Sequence, residues 1–233
     1  MLSDRTLAFM RGIKREIAVL WILALVFLAG LLNATGFLEF GQTLSHMTGN
    51  LTKLGFALSG SSQEPAWLFV LMVASFFLGA TLSGYGFPEH RLGQWRRSGL
   101  VVLLAGVLLL IMELLIATAA VRIAAMALVL GAQNGLALRY QGILTRTTHM
   151  TGHLTDCGAA LGRILHQKTW RGPNVKLFFF HLSCLVFFVL GVLFTGFVVP
   201  SLEHSLSISA VTVAGIAYVL LGAGTLWRGV YAR

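Results

Sequence analysis

Six long apolar runs divide this chain, and they limit its folds more than any other feature. They are Ile17–Leu38, Pro65–Phe87, Ser98–Thr118, Val121–Leu138, Val175–Val199 and Ser205–Trp227. Several reach the roughly 20 residues that a helix needs to cross a bilayer. Only 11% of the 233 residues are charged, whereas a soluble domain carries about a quarter. So few charges cannot coat a water-facing surface, but they suffice to cap spanning helices. The expected fold is therefore an all-α integral membrane protein. The first run follows Arg5, Arg11, Lys14 and Arg15, as in a signal sequence. It is longer than the roughly 7–15 apolar residues of such a signal and lacks a close small-residue cleavage site, so it reads as a retained span.

Two further segments, Leu44–Gly60 and Thr147–Arg163, are shorter, less apolar and rich in Gly and Thr. Whether they cross decides the topology, and the cations supply the argument. With six spans and both termini cytoplasmic, 15 of the 17 Lys and Arg residues fall inside, leaving Lys53 and Arg122 outside. Crossing by the short segments would move the Arg91, Arg96 and Arg97 loop outside, against the positive-inside bias. The expectation is six transmembrane helices plus two short re-entrant or broken helices. The net charge of +9 reflects these basic connections rather than a nucleic-acid surface, because no soluble basic domain exists to carry one.

The two short segments are near copies. Ser45–Gly55 reads SHMTGNLTKLG and Thr148–Gly158 reads THMTGHLTDCG, identical at seven of eleven positions. His46 corresponds to His149 throughout an ungapped match, and Gly30–Asn33 corresponds to Gly131–Asn134 once a two-residue insertion is allowed. The repeats then occupy about 17–118 and 121–227, each ordered span, short segment, span, span. Three crossings per repeat invert the second copy relative to the first. Inverted repeats with interrupted helices are a transporter signature, with substrate near the midplane. Irregular backbone at that depth survives only inside protein or beside an aqueous cavity.

The duplicated residues are the candidate site. Thr48, Gly49 and Asn50, with Thr151, Gly152 and His153, read as turns opening short helices. There Thr caps free N–H groups and Gly admits a ligand, and a helix N-terminus favours an anion. The alternative is that small residues serve helix packing. His46 and His149 either carry a coupling proton or fix the turns by hydrogen bonding. Asn33, Gln133 and Asn134 are amides within spans that line a cavity or bond neighbouring helices. Lys53 and Asp156 occupy matched positions with opposite charge. They are expected to pair across a pseudo-two-fold axis in at least one conformation; the alternative is that each lies at its own interface. His149, His153 and Cys157 share one helix face, a weak metal pattern that the first copy lacks. No metal or other cofactor is therefore expected. Cys184 shows no zinc-type spacing either. Glu113 and Arg122 flank a short outer turn and read as a structural pair. Glu39, Tyr85 and His181 carry no reading on their own.

The strings at Ala29–Leu38 (AGLLNATGFL), His46–Asn50 (HMTGN), Gly131–Gly135 (GAQNG) and Thr148–Gly152 (THMTG) resemble the YoaK-like family of bacterial inner-membrane proteins, a domain-of-unknown-function family. The resemblance spans nearly the whole chain. It implies a six-span protein of the bacterial inner membrane and carries no activity with it. Many members have an acidic residue where this chain has Asn33, which weakens proton coupling at that position. No P-loop, H-E-x-x-H or G-x-S-x-G motif is present, so an ATP-driven pump or a familiar hydrolase finds no support. The leading expectation is a transporter or channel for a small polar or anionic solute. The alternatives are a membrane enzyme or metal protein using His149, His153, Asp156 and Cys157, or a non-catalytic scaffold subunit. The lipid bilayer is the expected partner, and self-association into a homo-oligomer stays open.

Overall fold

The structure is a computed structural model that describes residues 4–86, 95–115, 118–136, 138–140 and 143–231. Arg91 and Arg233, two expected cytoplasmic cations, lie outside these residues. The elements run α1 (Asp4–Phe40), α2 (Met47–Leu58), α3 (Ala66–Gly86), α4 (Trp95–Leu115), α5 (Ala119–Gly135), β1 (Leu138–Tyr140), β2 (Ile143–Thr145), α6 (Met150–Gln167), α7 (Pro173–Phe197), α8 (Val199–Leu206) and α9 (Ala210–Tyr231). Five stretches are long and apolar enough to cross a membrane: Glu16–Phe40, Ala66–Gly86, Arg96–Leu115, Pro173–Leu206 and Ala210–Trp227. Of the six expected spans, α5 falls short. Its 17 residues reach about 26 Å at 1.5 Å per residue, against a hydrocarbon core of about 30 Å.

Local chemistry sets the ends of these elements. Gly41, at φ 69°, stops α1, and its N–H closes on the Phe37 carbonyl at 2.9 Å. Gly60, at φ 76°, ends α2, with Ser61 N–H returning to the Phe56 carbonyl at 2.9 Å. This is the left-handed helix stop that glycine favours. Two expectations need correcting. Ser205 does not begin the last span; it belongs to the short helix α8, which has Pro200 in its first turn and ends at Ser207 with φ 55°. The chain is also not wholly α-helical. Leu138 pairs with Thr145, and Tyr140 with Ile143, in an antiparallel hairpin. The hairpin stands where the second copy holds its two extra residues, and its Tyr, Ile and Thr favour extended backbone.

Three helix pairs build the core, and small residues set their spacing. In α1 and α7, Gly191 packs on the Phe27 carbonyl and Leu31 N, while Gly30 packs on the Phe188 carbonyl. In α3 and α5, Gly79 packs on the Leu128 carbonyl and Ala132 N, while Gly131 packs on the Phe76 carbonyl. Thr195 Oγ1 donates to the Leu31 carbonyl at 3.3 Å, and Ser83 Oγ donates to the Ala132 carbonyl at 2.6 Å. The register in both pairs shows helices running parallel. In the third pair, Gly99 lies against Gly222 and Leu226, and Gly106 against Gly215 and Val219. There the numbering runs in opposite senses, so α4 and α9 are antiparallel. Such close backbone approach is how helices associate where lipid removes the hydrophobic drive.

The exterior is apolar as well. Phe77, Leu114, Leu115, Phe197, Leu220 and Trp227 are all exposed, while Asn33, Gln133 and His153 are buried. Water would penalise such an exterior, whereas lipid accommodates it and leaves polar side chains to face protein.

Candidate functional site

The first short helix is held by amides. Asn33 Oδ1 accepts the Ser45 backbone N–H at 3.0 Å, and Asn33 Nδ2 donates to Ser45 Oγ at 2.7 Å and the Ala29 carbonyl at 2.8 Å. Asn50 Nδ2 donates to the Thr43 carbonyl at 3.1 Å. These bonds satisfy the backbone polar groups exposed where the chain leaves α1 and enters α2. Beside them, Lys53 Nζ donates to Gln42 Oε1 at 3.0 Å, and Gln42 Nε2 donates to Glu64. Lys53 also lies over the Phe69 ring, 5.8 Å from its centroid.

The second short helix repeats the plan with different chemistry. Asn134 Oδ1 accepts the Thr148 N–H at 3.3 Å, and the Arg146 guanidinium donates to the Asn134 carbonyl at 2.6 Å. His153 replaces Asn50, and its Nε2 faces the Arg146 carbonyl at 3.1 Å. Its Nδ1 lies 2.9 Å from Nδ1 of His181. On the far side of that ring, His181 Nε2 is 3.9 Å from the Asp156 carboxylate. Gln133 Nε2 donates to the Leu25 carbonyl at 2.9 Å and to Thr147 Oγ1 at 2.7 Å, and Tyr218 OH donates to Gln133 Oε1. This ties α1, α5, α9 and the turn before α6 together.

Several expected roles change in the structure. Thr48 and Thr151 do not cap their helices. His46 and His149 stand at the cap positions, neither with a side-chain cap bond, and both threonines are exposed. The gap at each glycine is taken by the protein itself. A Cβ on Gly49 would strike the His46 ring, and one on Gly152 would come 2.6 Å from His149 Nδ1. In this structure Lys53 engages Gln42 and Asp156 faces His181, so the two expected partners are not paired in this conformation. His149, His153 and Cys157 do not converge as ligands. His149 is exposed, and Cys157 Sγ points to the Phe178 carbonyl at 3.8 Å. Among the described residues no three His, Cys, Asp or Glu side chains are gathered to hold a metal.

The two turns also lie at different depths. Gln133, next to Asn134, meets the Leu25 carbonyl. Leu25 stands eight residues along α1 from Asn33, about 12 Å at the helical rise. Between the turns, Leu25, Leu32, Met126 and Leu130 pack in one buried cluster. The predicted pair of Glu113 and Arg122 is present at 2.6 Å, extended by Glu39 at 3.2 Å and by the Phe40 ring. His181, Gln42, Glu64, Thr147 and Tyr218 belong to these networks and were not assigned from the sequence.

Apolar spans with an apolar exterior, and polar side chains turned inward around interrupted helices, define a multi-pass helical membrane protein. The family described as "Protein of unknown function (DUF1275)" matches residues 21–220, and the chain belongs to it. No curated protein and no solved structure matched the chain.

Proposed function

We propose that this protein is a small-solute transporter of the bacterial inner membrane. In this reading two inverted repeats, about 17–118 and 121–227, make six spans with both termini cytoplasmic. The observation that carries it is the duplicated clamp. An Asn near the end of a span, Asn33 or Asn134, holds the start of a short broken helix, with the same bond on opposite sides of an apolar layer. The helix directions support the inversion. Three crossings per repeat make α1 parallel to α7, α3 parallel to α5, and α4 antiparallel to α9. Eight crossings would make α4 and α9 parallel.

In the proposed cycle the layer of Leu25, Leu32, Met126 and Leu130 separates two polar vestibules. One holds Asn33, Ser45 and Asn50, and the other holds Asn134, Thr148 and His153. A small polar or anionic solute passes when the layer repacks, as in alternating access between repeats. The helix N-termini at His46 and His149 supply N–H donors and partial positive charge on each side.

Two cysteine experiments test this, in protein with Cys157 and Cys184 replaced by alanine. Ser62→Cys is expected to react with a membrane-impermeant thiol reagent only from the face opposite the termini. Reaction only from the cytoplasmic face overturns the inverted topology. Ser45→Cys and Thr148→Cys keep the backbone N–H that each Asn accepts. The first is expected to react from the outer face and the second from the cytoplasmic face. If neither reacts from either side, the turns are dry and the scaffold reading replaces transport.

A further inference from the structure

We infer that His153 and His181 form a binding site for a single proton, delivered through Asp156, and that this proton is the coupling ion of the transporter. The inference rests on the transport reading above and adds the ion and the energy source. The geometry assigns the hydrogens. A carbonyl only accepts, so the His153 Nε2 facing the Arg146 carbonyl at 3.1 Å carries hydrogen. In the uncharged pair, His153 Nδ1 is therefore a bare acceptor. The 2.9 Å Nδ1–Nδ1 contact then requires His181 Nδ1 to be the donor. That leaves the lone pair of His181 on Nε2, directed toward Asp156 at 3.9 Å.

One added proton lands on His181 Nε2 and makes an imidazolium beside a carboxylate. A second has no place, because the space between the two Nδ1 atoms already holds one hydrogen. Access follows from burial. The His153 and His181 side chains are nearly enclosed, whereas the Asp156 side chain is 58% exposed. Asp156 thus takes a proton from outside the protein and passes it from its carboxyl to Nε2, ending as carboxylate.

The neighbours leave this pair as the responsive element. On α6, His149 is exposed beyond the pair, and Cys157 bonds the Phe178 carbonyl. Arg146 turns its guanidinium to Asn134. On α7 the nearby thiol is buried Cys184, and the described α1 residues packed into this cluster, Val19, Ile22, Leu23 and Val26, are apolar. The first repeat shows what the helices need without a proton. Asn50 makes the same carbonyl bond as His153, Phe69 stands in the place of His181, and Lys53 lies over that ring where Asp156 faces His181. The second repeat therefore carries an acid and two imidazoles beyond what the architecture requires. Imidazole is the side chain that changes charge near neutral pH.

The test uses the full chain in lipid nanodiscs. Histidine ring resonances are followed from about pH 8 to pH 5, the imidazole range, in wild type and in His153→Asn/His181→Phe, which borrows the residues of the first repeat. The expected result is one shared proton, seen as a coupled shift of both rings and lost in the variant. Independent titration of both rings, or no titration of either, overturns the site. The same pH step is expected to change the labelling of Ser45→Cys relative to Thr148→Cys, in wild-type but not variant background. Shared protonation with unchanged labelling overturns the coupling role. Absence of labelling at every pH removes the transport reading instead, and the ring titration still judges the proton site.

Discussion

Valine at Gly131 is expected to leave little folded protein, and valine at Gly79 should do the same. Each glycine lies against main chain of the partner helix: Gly131 on the Phe76 carbonyl, Gly79 on the Leu128 carbonyl and Ala132 N. A side chain can swing away from an intruding methyl, but a helix backbone cannot. Overpacking ordinarily costs about 1–3 kcal/mol, and separating two helices along their contact exceeds that. Ser83 Oγ also loses its bond to the Ala132 carbonyl as the helices part. The expected outcome is a fall of more than about 5 °C in the unfolding midpoint in detergent, with aggregated material on size exclusion. Gly55 and Gly158 are the controls, because a Cβ at either meets nothing within 4 Å. Alanine there should be neutral or stabilise by up to about 1 kcal/mol through helix propensity. A Gly131→Val protein with the wild-type midpoint would show that α3 and α5 are not packed in this way.

The spans were legible because lipid removes alternatives. Once Ile17–Leu38 or Val175–Val199 is read as embedded, a helix is the form that satisfies its own backbone within one segment. The duplicated short segments were legible because HMTG recurs with its neighbours. What the pattern could not supply was how the chain turns between elements. α8 spans the Pro200–His204 break between two apolar runs and takes the ends of both, and the β1–β2 hairpin hides in a two-residue insertion. Short strings outside the HMTG core also recur in the order that the proposed repeat requires. F-x-L-G occurs at Phe76–Gly79 and again at Phe188–Gly191, and G-x6-G at Gly99–Gly106 and again at Gly215–Gly222. Those four strings mark the helix-crossing points, and aligning them would have placed His181 opposite Phe69.

The candidate residues were found more readily than their partners. Asn33, Gln133 and Asn134 stood out because an amide within a span must bond something; Asn33 and Gln133 prove to be held on both sides of the amide, while the Asn134 oxygen accepts the Thr148 N–H. Their identity as clamps depends on Ser45, Thr147 and Thr148, whose short side chains and backbone carry little signal alone. Opposite charges at matched positions suggested that Lys53 meets Asp156. The matched positions lie on different short helices, each packed on its own span, so each charge finds a local partner. His46 and His149 were legible as a pair, but their rings fill the space over Gly49 and Gly152 rather than leaving it to a ligand.

Gln133→Leu alone should cost more than Gln133→Leu combined with Tyr218→Phe. Gln133 and Tyr218 are both buried, and in the proposed repeat alignment the matching positions are Leu32 and Val102. Apolar side chains therefore fit this crossing. In Gln133→Leu the Tyr218 hydroxyl is stranded, and Thr147 and the Leu25 carbonyl each lose a bond. In Tyr218→Phe the amide oxygen is stranded instead. A buried group left without its partner costs about 1–3 kcal/mol, whereas replacing both partners by apolar groups of similar shape is nearly neutral. Thermal unfolding of wild type, both single variants and the double variant should thus give a coupling of about 1–3 kcal/mol, with the double variant recovering stability relative to Gln133→Leu. Additive losses would mean that the two side chains do not share this bond. The bond joins α5 to α9 at the apolar layer between the two turns, so labelling of Thr148→Cys in the stable double variant separates two roles. Unchanged labelling makes the bond a structural tie, and increased labelling makes it the latch that keeps the layer closed.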